Sequence, residues 1–524
     1  MVKFLLNLMW ARAEGAMISA WSRVEKGTNK NVNSLHPLLL ILGISSFTLF
    51  FFWLSMFRLE RLTAYAYDLG IFMQAVWLMS VGETPFVTLR GLHIFADHFS
   101  PILLAFVPLY RIYPHPFWFL FFQSLAFGIC AVPLFRLAFR WRLPLHLASF
   151  LSFASLFHPA FFSMLFFDFH PLVLSIPLLL WGLLAIEEGK ARDFFVALFF
   201  ALTCREDVAL PAFCLCLYGL MRKRFWCIFG ALMALAWFFL ATKVMAYLSE
   251  NERVFYLALY SKWGGSPAEI LKNWLIHPFE VIREMLTARG IQTPPGFYPI
   301  LLLAPFGFIP LLGCRVLLFS LPCFAFLTLG DRPAMRDLGF QHTALIIFWV
   351  MAANLRGWMK LISWLKGLPK REQIWWRIVL VTFWSICLIC FAVRYGKSAF
   401  AVFARDKLSG EDAKKVRQIL WEKVPPSASV SAPTTFVVPL AHRKEIYLFP
   451  NPFIRCLWGA DEKALLQMDG KEKVVIADEG KIKEQIKKRP VEFVVIKRFT
   501  NWWPMEISDF KRLVDILLNS DEYE

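Results

Sequence analysis

The stretch from Tyr65 to Pro101 is the part of the sequence around which the rest is organised. It begins Tyr65-Ala66-Tyr67-Asp68-Leu69-Gly70, continues through Gln74-Ala75-Val76-Trp77, and ends Asp97-His98-Phe99-Ser100-Pro101. Between Asp68 and Ser80 the apolar residues recur at helical spacing, and Gly82 follows where a helix would end. The pattern predicts a short helix lying in the membrane interface, with Asp68 at its positively polarised N-terminus.

The composition on either side of this stretch is that of a membrane protein. Of the 524 residues, 58% are hydrophobic and only 18% are charged, and the mean hydropathy is +0.53. Apolar runs of about 20 residues, separated by short basic loops, are typical of a polytopic α-helical protein of the inner or plasma membrane. The bilayer is therefore the expected partner, and the net charge of +17 requires no nucleic acid. The sequence does not define an oligomeric state.

The apolar runs predict about eleven transmembrane helices within a membrane domain at 36–395. A lead at 1–35 is expected to be cytoplasmic or interfacial, and a hydrophilic tail at 396–524 is expected on the opposite side. The predicted spans are 36–57, 116–139, 144–165, 171–188, 193–204, 207–221, 224–248, 297–313, 314–330, 341–354 and 374–395.

Two stretches determine this count. Pro101 to Tyr110 is too short to cross a hydrocarbon core of about 30 Å, so we place it within an outer loop at 58–115. Asp193 to Met221 contains Arg205-Glu206-Asp207 at its middle, and three charges at the bilayer centre would be very unfavourable. We therefore divide it into two short helices that meet at the outer surface.

Lysine and arginine provide an independent test of this topology, because cytoplasmic loops are enriched in both. Every loop that the division places inside is basic. These loops contain Arg136, Arg140, Arg142, Lys190, Arg192, Arg222, Lys223, Arg224, Arg315, Arg356, Lys360, Lys366, Lys370 and Arg371.

The tail from Gly396 is predicted to form a small extracytoplasmic α/β domain. Its predicted strands lie at 430–432, 446–449, 474–477 and 493–496, and its predicted helices at 481–488 and 508–518. It contains neither a glycine-rich dinucleotide fingerprint nor a phosphate loop, so no cofactor is assigned to it. A second long outer loop, at 249–296, is a candidate lid or substrate clamp.

The same topology places the polar residues of the apolar region on the outer side. Asp68 could act as a carboxylate base, and Arg205 could hold a phosphate. Two Asp/His pairs could orient a sugar, tune the base or bind Mg²⁺ or Mn²⁺, but they lack a strict ligand spacing, so no metal is assigned. The full candidate set is Asp68, Asp97, His98, Asp168, His170, Arg205, Glu206, Asp207 and His342.

The order of these motifs resembles a known family. The motifs are Tyr67-Asp68-Leu69-Gly70, Asp97-His98-Phe99-Ser100-Pro101, Asp168-Phe169-His170-Pro171, Cys204-Arg205-Glu206-Asp207 and Gln341-His342-Thr343-Ala344. The chain is similar here to the predicted membrane proteins called domain of unknown function 2079, which are grouped with GT-C type glycosyltransferases. That resemblance implies a polyprenyl-phosphate sugar donor and Asp68 as the catalytic carboxylate, in an inverting hexosyl or pentosyl transfer. Arg205 departs from the lysine expected at its position.

Alternative interpretations stay open at this point. Asp68 could be only a helix cap, Arg205 to Asp207 could be a structural ion network, and His342 could be a packing residue. A non-enzymatic lipid or glycan transporter, or an envelope assembly protein, could use the same scaffold. A transporter would be expected to show an internal repeat and polar groups at the midplane, and the sequence shows no repeat.

Overall fold

We describe the protein from a computed structural model. The structure describes residues 30–249, 255–405, 410–454, 479–496 and 507–523, and of 30–37, 255, 396–405 and 481 it describes only the backbone. Most of the predicted lead at 1–35 and the predicted strand at 474–477 lie outside the described residues.

The described chain is dominated by helices that are long and apolar enough to cross a membrane. Seven qualify by length and composition, and an eighth is formed if a pair bent by 45°, Leu145–Phe157 and Pro159–Phe166, is one span. The seven are Leu38–Glu60, Phe117–Arg140, Pro171–Glu188, Cys227–Leu248, Ile309–Leu329, Gln341–Leu365 and Lys370–Tyr395. The protein is therefore a polytopic helical membrane protein.

Three of the eleven predicted spans contain only shorter helices. Those at 193–204 and 207–221 correspond to Ala191–Leu202 and Ala209–Met221, of 12 and 13 residues, and that at 297–313 begins with Tyr298–Leu303. At 1.5 Å per residue the first two extend roughly 18 to 20 Å, less than the hydrocarbon core. The predicted division of Asp193 to Met221 is confirmed, with Arg205 to Asp207 in the turn between the two helices.

Two predicted boundaries are wrong. The helix predicted to end at residue 354 continues to Leu365, so Arg356 and Lys360 belong to the helix. The break expected between Gly313 and Cys314 instead falls at Gly307 and Phe308, both with left-handed backbone, and Arg315 lies within a helical segment. Gly313 packs too closely for a side chain, since a Cβ there would lie 2.1 Å from the Ala353 carbonyl oxygen.

The remaining elements are shorter. A hairpin pairs β1, Phe86–Val87, with β2, Leu92–His93. The other helices are Ile71–Ser80, Ile94–Asp97, Val107–Ile112, Pro267–Ile276, Pro278–Thr287, Tyr298–Leu303, Gly410–Lys423, Thr434–Leu440, Glu479–Lys487 and Ile507–Leu518.

Basic residues gather at one end of the bundle. Glu187 is buried and contacts Tyr218, Arg222 at 3.1 Å and Arg356 at 3.6 Å. The Arg356 guanidinium also lies 4.0 Å from the centre of the Trp141 ring. Because Glu187 and Trp141 contact the Arg356 guanidinium, the helix that begins after Gln341 can continue past Arg356 to Leu365. This basic end lies one helix length, roughly 27 Å, from the N-terminus of Pro171–Glu188.

The tail contains a parallel sheet in the order β4-β3-β5, formed by β3, Val430–Ala432, β4, Ile446–Leu448, and β5, Phe493–Val494. The strands and helices predicted for the described part of the tail are thus observed. The tail shares a hydrophobic core with the segment that follows the first span, in which Leu69, Val76 and Leu89 are buried together with Val430 and Val437.

This shared core corrects the predicted interfacial helix. The helix begins at Ile71 rather than Asp68, and it ends before Gly82, as predicted. Seven of its ten residues are buried, because the helix packs against Val107–Ile112, Ala66–Gly70 and the hairpin and also contacts the tail. Gln74, which is fully buried, donates to Thr88 Oγ1 at 2.8 Å and to the Lys444 carbonyl at 3.0 Å. The helix therefore packs within protein and does not present an apolar face to lipid.

Candidate active site

Asp168 joins the first span to the helices that follow it. It lies between Pro159–Phe166 and Pro171–Leu174 with φ of 65°, a left-handed conformation that aspartate tolerates better than most residues. Its Oδ1 lies 3.2 Å from Arg58 Nη1, and its Oδ2 accepts a 2.9 Å hydrogen bond from the Tyr65 amide. Burial raises the pKa of this carboxyl, although the Arg58 charge opposes the rise. Asp168 therefore anchors the start of the Asp68 segment.

Asp68 lies beside His170. It belongs to the short helical turn Ala66–Gly70, in which the Tyr67–Asp68 peptide bond is cis. Its Oδ2 is 2.7 Å from His170 Nε2, and the two side chains are 23% and 5% exposed. The His170 amide donates to Gln123 Oε1 at 3.1 Å, and the ring stacks on Phe167. A fixed imidazole thus lies next to a carboxylate that solvent can still reach.

A second group of residues forms around Asp97. Arg90 donates to both carboxylate oxygens, with distances of 2.9 and 2.7 Å, and the Tyr256 hydroxyl donates to Oδ1 at 2.7 Å. Burial opposes the charge of Asp97, but the Arg90 guanidinium outweighs it and holds the pKa well below its usual range. Asp97 is therefore a poor base and a strong structural acceptor.

Tyr256 connects this group to Glu206. The rings of Tyr256 and His98 are stacked, with centroids 4.6 Å apart. His98 Nδ1 lies 2.7 Å from Glu206 Oε1, and the Phe99 amide donates to Oε2 at 2.9 Å. Burial opposes ionisation of Glu206, yet His98 and Arg205 together lower its pKa. The loop that contains Tyr256, predicted as a lid or clamp, therefore contributes to the site.

Arg205 is paired within its own turn. Its Nε donates to Asp207 Oδ1 at 2.7 Å, and its Nη2 contacts Oδ2. Burial alone would lower the pKa of Arg205, but the Asp207 carboxylate raises it. The Nε/Nη2 edge of the guanidinium, which can bind two oxygens at once, is therefore occupied by Asp207.

His342 lies on a turn next to the one that follows His170. It is buried at the start of the helix Gln341–Leu365. The turn Gln341–Thr343 also packs against Pro171–Leu174, which directly follows His170. All nine residues predicted from the sequence therefore lie at the end of the bundle opposite Glu187.

The sequence reasoning did not find four further residues of the site, Arg58, Arg90, Tyr256 and Arg332. The sequence contains a pattern that could have indicated two of them, Arg58 and Arg332. Arg58 closes the first apolar run, and Asp331-Arg332 is a charged pair between two apolar runs. Arg90 and Tyr256 lie in loops that contain other polar residues, so only the fold distinguishes them.

The structure does not assemble the two Asp/His pairs into a metal site. Asp97 and Asp168 each face an arginine, and His98 faces Glu206. Within the described ranges, no group of three or more His, Cys, Asp or Glu residues is arranged to hold a metal ion.

Fold and site together define a polytopic helical membrane protein with a cluster of paired acidic and basic residues at one end of its bundle. The chain belongs to the family of predicted membrane proteins called domain of unknown function 2079, whose model matches residues 58–509. That range contains every residue of the candidate site. No curated protein matches the chain.

Proposed function

We propose that this protein is a GT-C type glycosyltransferase. It would move a sugar from a polyprenyl-phosphate donor to an acceptor hydroxyl of a lipid, glycan or protein outside the cytoplasm. The observation that carries the proposal is the exposure of the Asp68 carboxylate together with its position beside a histidine. It is the most exposed carboxylate of the cluster, and its partner is an imidazole.

The other carboxylates are less suited to accept a proton. The side chains of Asp97 and Asp168 are 9% and 3% exposed, and each contacts an arginine. Asp207 is paired with Arg205, and Glu206 also receives the Phe99 amide. The lowered pKa values of Asp97 and Glu206 make them weaker bases. Asp168 is too deeply buried for a substrate to reach.

The reaction is a single displacement. The acceptor oxygen forms a bond to the anomeric carbon of the sugar while Asp68 takes the hydroxyl proton. The bond between that carbon and the phosphate oxygen breaks, and polyprenyl phosphate leaves with the electron pair. Attack opposite the leaving group inverts the anomeric configuration. His170 orients the Asp68 carboxylate throughout.

The proposal includes an orientation. The basic end around Glu187 faces the cytoplasm, because cytoplasmic loops are rich in lysine and arginine. The N-terminus is then cytoplasmic, and with eleven crossings the tail forms an extracytoplasmic α/β domain. Contacts between the tail and the Asp68 segment, such as that of Gln74 with Lys444, support a common side for both.

The test is to incubate purified protein in detergent with a panel of polyprenyl-phosphate sugars and acceptor extracts, and to measure loss of donor. We expect one donor to be consumed with release of polyprenyl phosphate. A second assay uses the protein reconstituted into proteoliposomes. If donors cross the proteoliposome membrane unchanged, the protein is a transporter. If the wild type consumes no donor of the panel in the presence of acceptor, transfer is overturned.

A further inference from the structure

Every acidic group of the candidate site has a basic partner of its own. Each carboxylate of the cluster contacts a different basic side chain at 3.2 Å or less. The pairs are Asp68 with His170, Asp97 with Arg90, Asp168 with Arg58, Glu206 with His98, and Asp207 with Arg205. Two basic residues of the site, Arg332 and His342, remain outside this pairing.

Arg332 has no acidic partner within the described ranges. Its side chain is partly buried, and its Nε is buried without a hydrogen-bond acceptor. Burial raises the pKa of Tyr256, and the Arg332 charge opposes that rise. An uncompensated guanidinium in a partly buried site is costly, so it marks a place where an anion would be stabilised.

The backbone around Arg332 is held in position. The Asp331 amide donates to the Leu259 carbonyl at 2.8 Å, and the Met335 amide donates to the Arg332 carbonyl at 3.1 Å. The turn Pro333–Arg336 packs against Gln341–Thr343, which contains His342. The position of Arg332 is therefore fixed relative to His342 by the fold.

Other buried polar atoms near these turns are also without partners. They are Gln341 Oε1 and both ring nitrogens of His170, of which Nε2 lies 2.7 Å from Asp68 Oδ2 without hydrogen-bond geometry. His170 as a whole is only 4% exposed. Buried polar groups in proteins are normally hydrogen-bonded, so unpartnered atoms on neighbouring turns indicate where a polar ligand binds. A phosphate can accept from Arg332 and from an imidazole at once.

We propose that Arg332, with His342 beside it, binds the phosphate group of a membrane lipid. On the proposed function, this lipid is the polyprenyl-phosphate donor. When its bond to the sugar breaks, the phosphate keeps the electron pair and gains one negative charge, which the guanidinium stabilises. Arg205 then acts as a positioning residue, because Asp207 occupies its Nε and Nη2 donors.

Binding without a sugar tests this assignment apart from transfer. The probes are polyprenyl phosphate and the uncharged polyprenol of the same length, titrated into purified protein in detergent. Arg332→Gln removes the charge but keeps a polar side chain. Arg283→Gln is the matched control, since Arg283 is exposed on the helix Pro278–Thr287 and lies outside the site.

We expect the wild type to prefer polyprenyl phosphate over polyprenol by at least about tenfold, the range for a hydrogen bond to a charged group. Arg332→Gln should weaken polyprenyl phosphate binding by about 10- to 100-fold and leave polyprenol binding unchanged. Arg332→Lys should recover part of the loss, and Arg283→Gln should change nothing. If inorganic phosphate displaces the lipid, Arg332 contacts the phosphate headgroup, as proposed. If free phosphate binds more tightly than the lipid, the ligand is a soluble phosphate and the assignment to a membrane lipid is wrong.

The assignment of Arg332 is overturned if both lipids bind the wild type equally. It is also overturned if Arg332→Gln weakens both lipids alike. If no sugar donor is ever consumed but the dependence on Arg332 holds, the proposed transfer fails and the phosphate site stands.

Discussion

The His170 Nε2 atom lies 2.7 Å from Asp68 Oδ2. The two residues lie far apart in the sequence. His170 directly precedes Pro171–Glu188, whereas Asp68 follows the first span. The imidazole is buried and the carboxylate is partly exposed. This contact leaves Asp68 one protected side and one open side, which is the arrangement that a base acting on an incoming hydroxyl requires.

Replacement of Asp68 by asparagine should abolish most transfer. The amide side chain would keep the shape and the polarity of the carboxylate but lose the basic oxygen, and loss of general-base assistance costs about 10² to 10⁴ in rate. The initial rate of donor consumption measures the effect. Asp193→Asn is the control, because Asp193 lies in the first turn of Ala191–Leu202, near the basic end. Wild-type turnover by Asp68→Asn would require a different base.

Asp168 should be important for stability. Asp168→Asn retains a residue that tolerates the left-handed backbone but leaves Arg58 buried without its charge partner, a loss of about 3 to 5 kcal/mol. Thermal unfolding in detergent should show a lower midpoint for Asp168→Asn than for Asp68→Asn. The double variant Arg58→Met with Asp168→Asn should regain part of the loss. Equal midpoints for all three variants would contradict the anchoring role.

The contribution of Asp97 to stability should depend on pH. Its pKa in the folded protein lies below the unfolded value, so its stabilising effect is fully present above about pH 4 and is lost as the pH falls through the folded value. The difference in unfolding midpoint between wild type and Asp97→Asn should therefore be largest near neutral pH and shrink in acid. A difference that grows in acid would show that the Arg90 contact is not the cause.

Gln74 should hold the tail against the Asp68 segment. Gln74→Leu keeps the volume of the side chain but leaves the Thr88 hydroxyl and the Lys444 carbonyl without this donor, at about 1 to 3 kcal/mol. Limited proteolysis should release the tail faster from this variant. The exposed Gln418 on Gly410–Lys423 provides the control Gln418→Leu. Equal cleavage rates would mean that the shared core holds the tail without Gln74.

The tail should report the orientation of the whole protein. We expect a C-terminal alkaline phosphatase fusion to be active and a C-terminal cytoplasmic reporter to be inactive, because the proposed topology has eleven crossings after a cytoplasmic N-terminus. The opposite result would reverse the side assigned to Asp68 as well, since the tail and the Asp68 segment are in contact.

The sequence best predicts structural features that depend on the free energy of a short local segment. Three adjacent charges cannot sit in the middle of a span, so the break at Arg205 to Asp207 is readable without a structure. The strands near Val430 and Ile446 are equally local, because short apolar runs between polar segments have few other solutions. The same reasoning collected the nine candidate residues on one side.

What the sequence does not reveal is the choice of partner. Nothing local indicates that Asp97 binds Arg90 and Tyr256, or that Asp68 binds His170. The end of the helix at Leu365 depends on Glu187 and Trp141, which satisfy Arg356 from other helices. The buried Gln74 on the helix after Gly70 donates to carbonyls of a tail more than 350 residues away. Such contacts are set by tertiary packing, which periodicity does not describe.

The Ala66 amide donates to Thr434 Oγ1 across 368 positions of the chain. At about 5 to 20 residues per second, the ribosome would need roughly 20 to 70 s to make that intervening chain. During this interval the Asp68 segment has emerged but its cover has not been made. Completion of the site is therefore a late event of biogenesis, and a nascent chain arrested before Thr434 would leave Leu69 and Val76 open to chaperones and proteases.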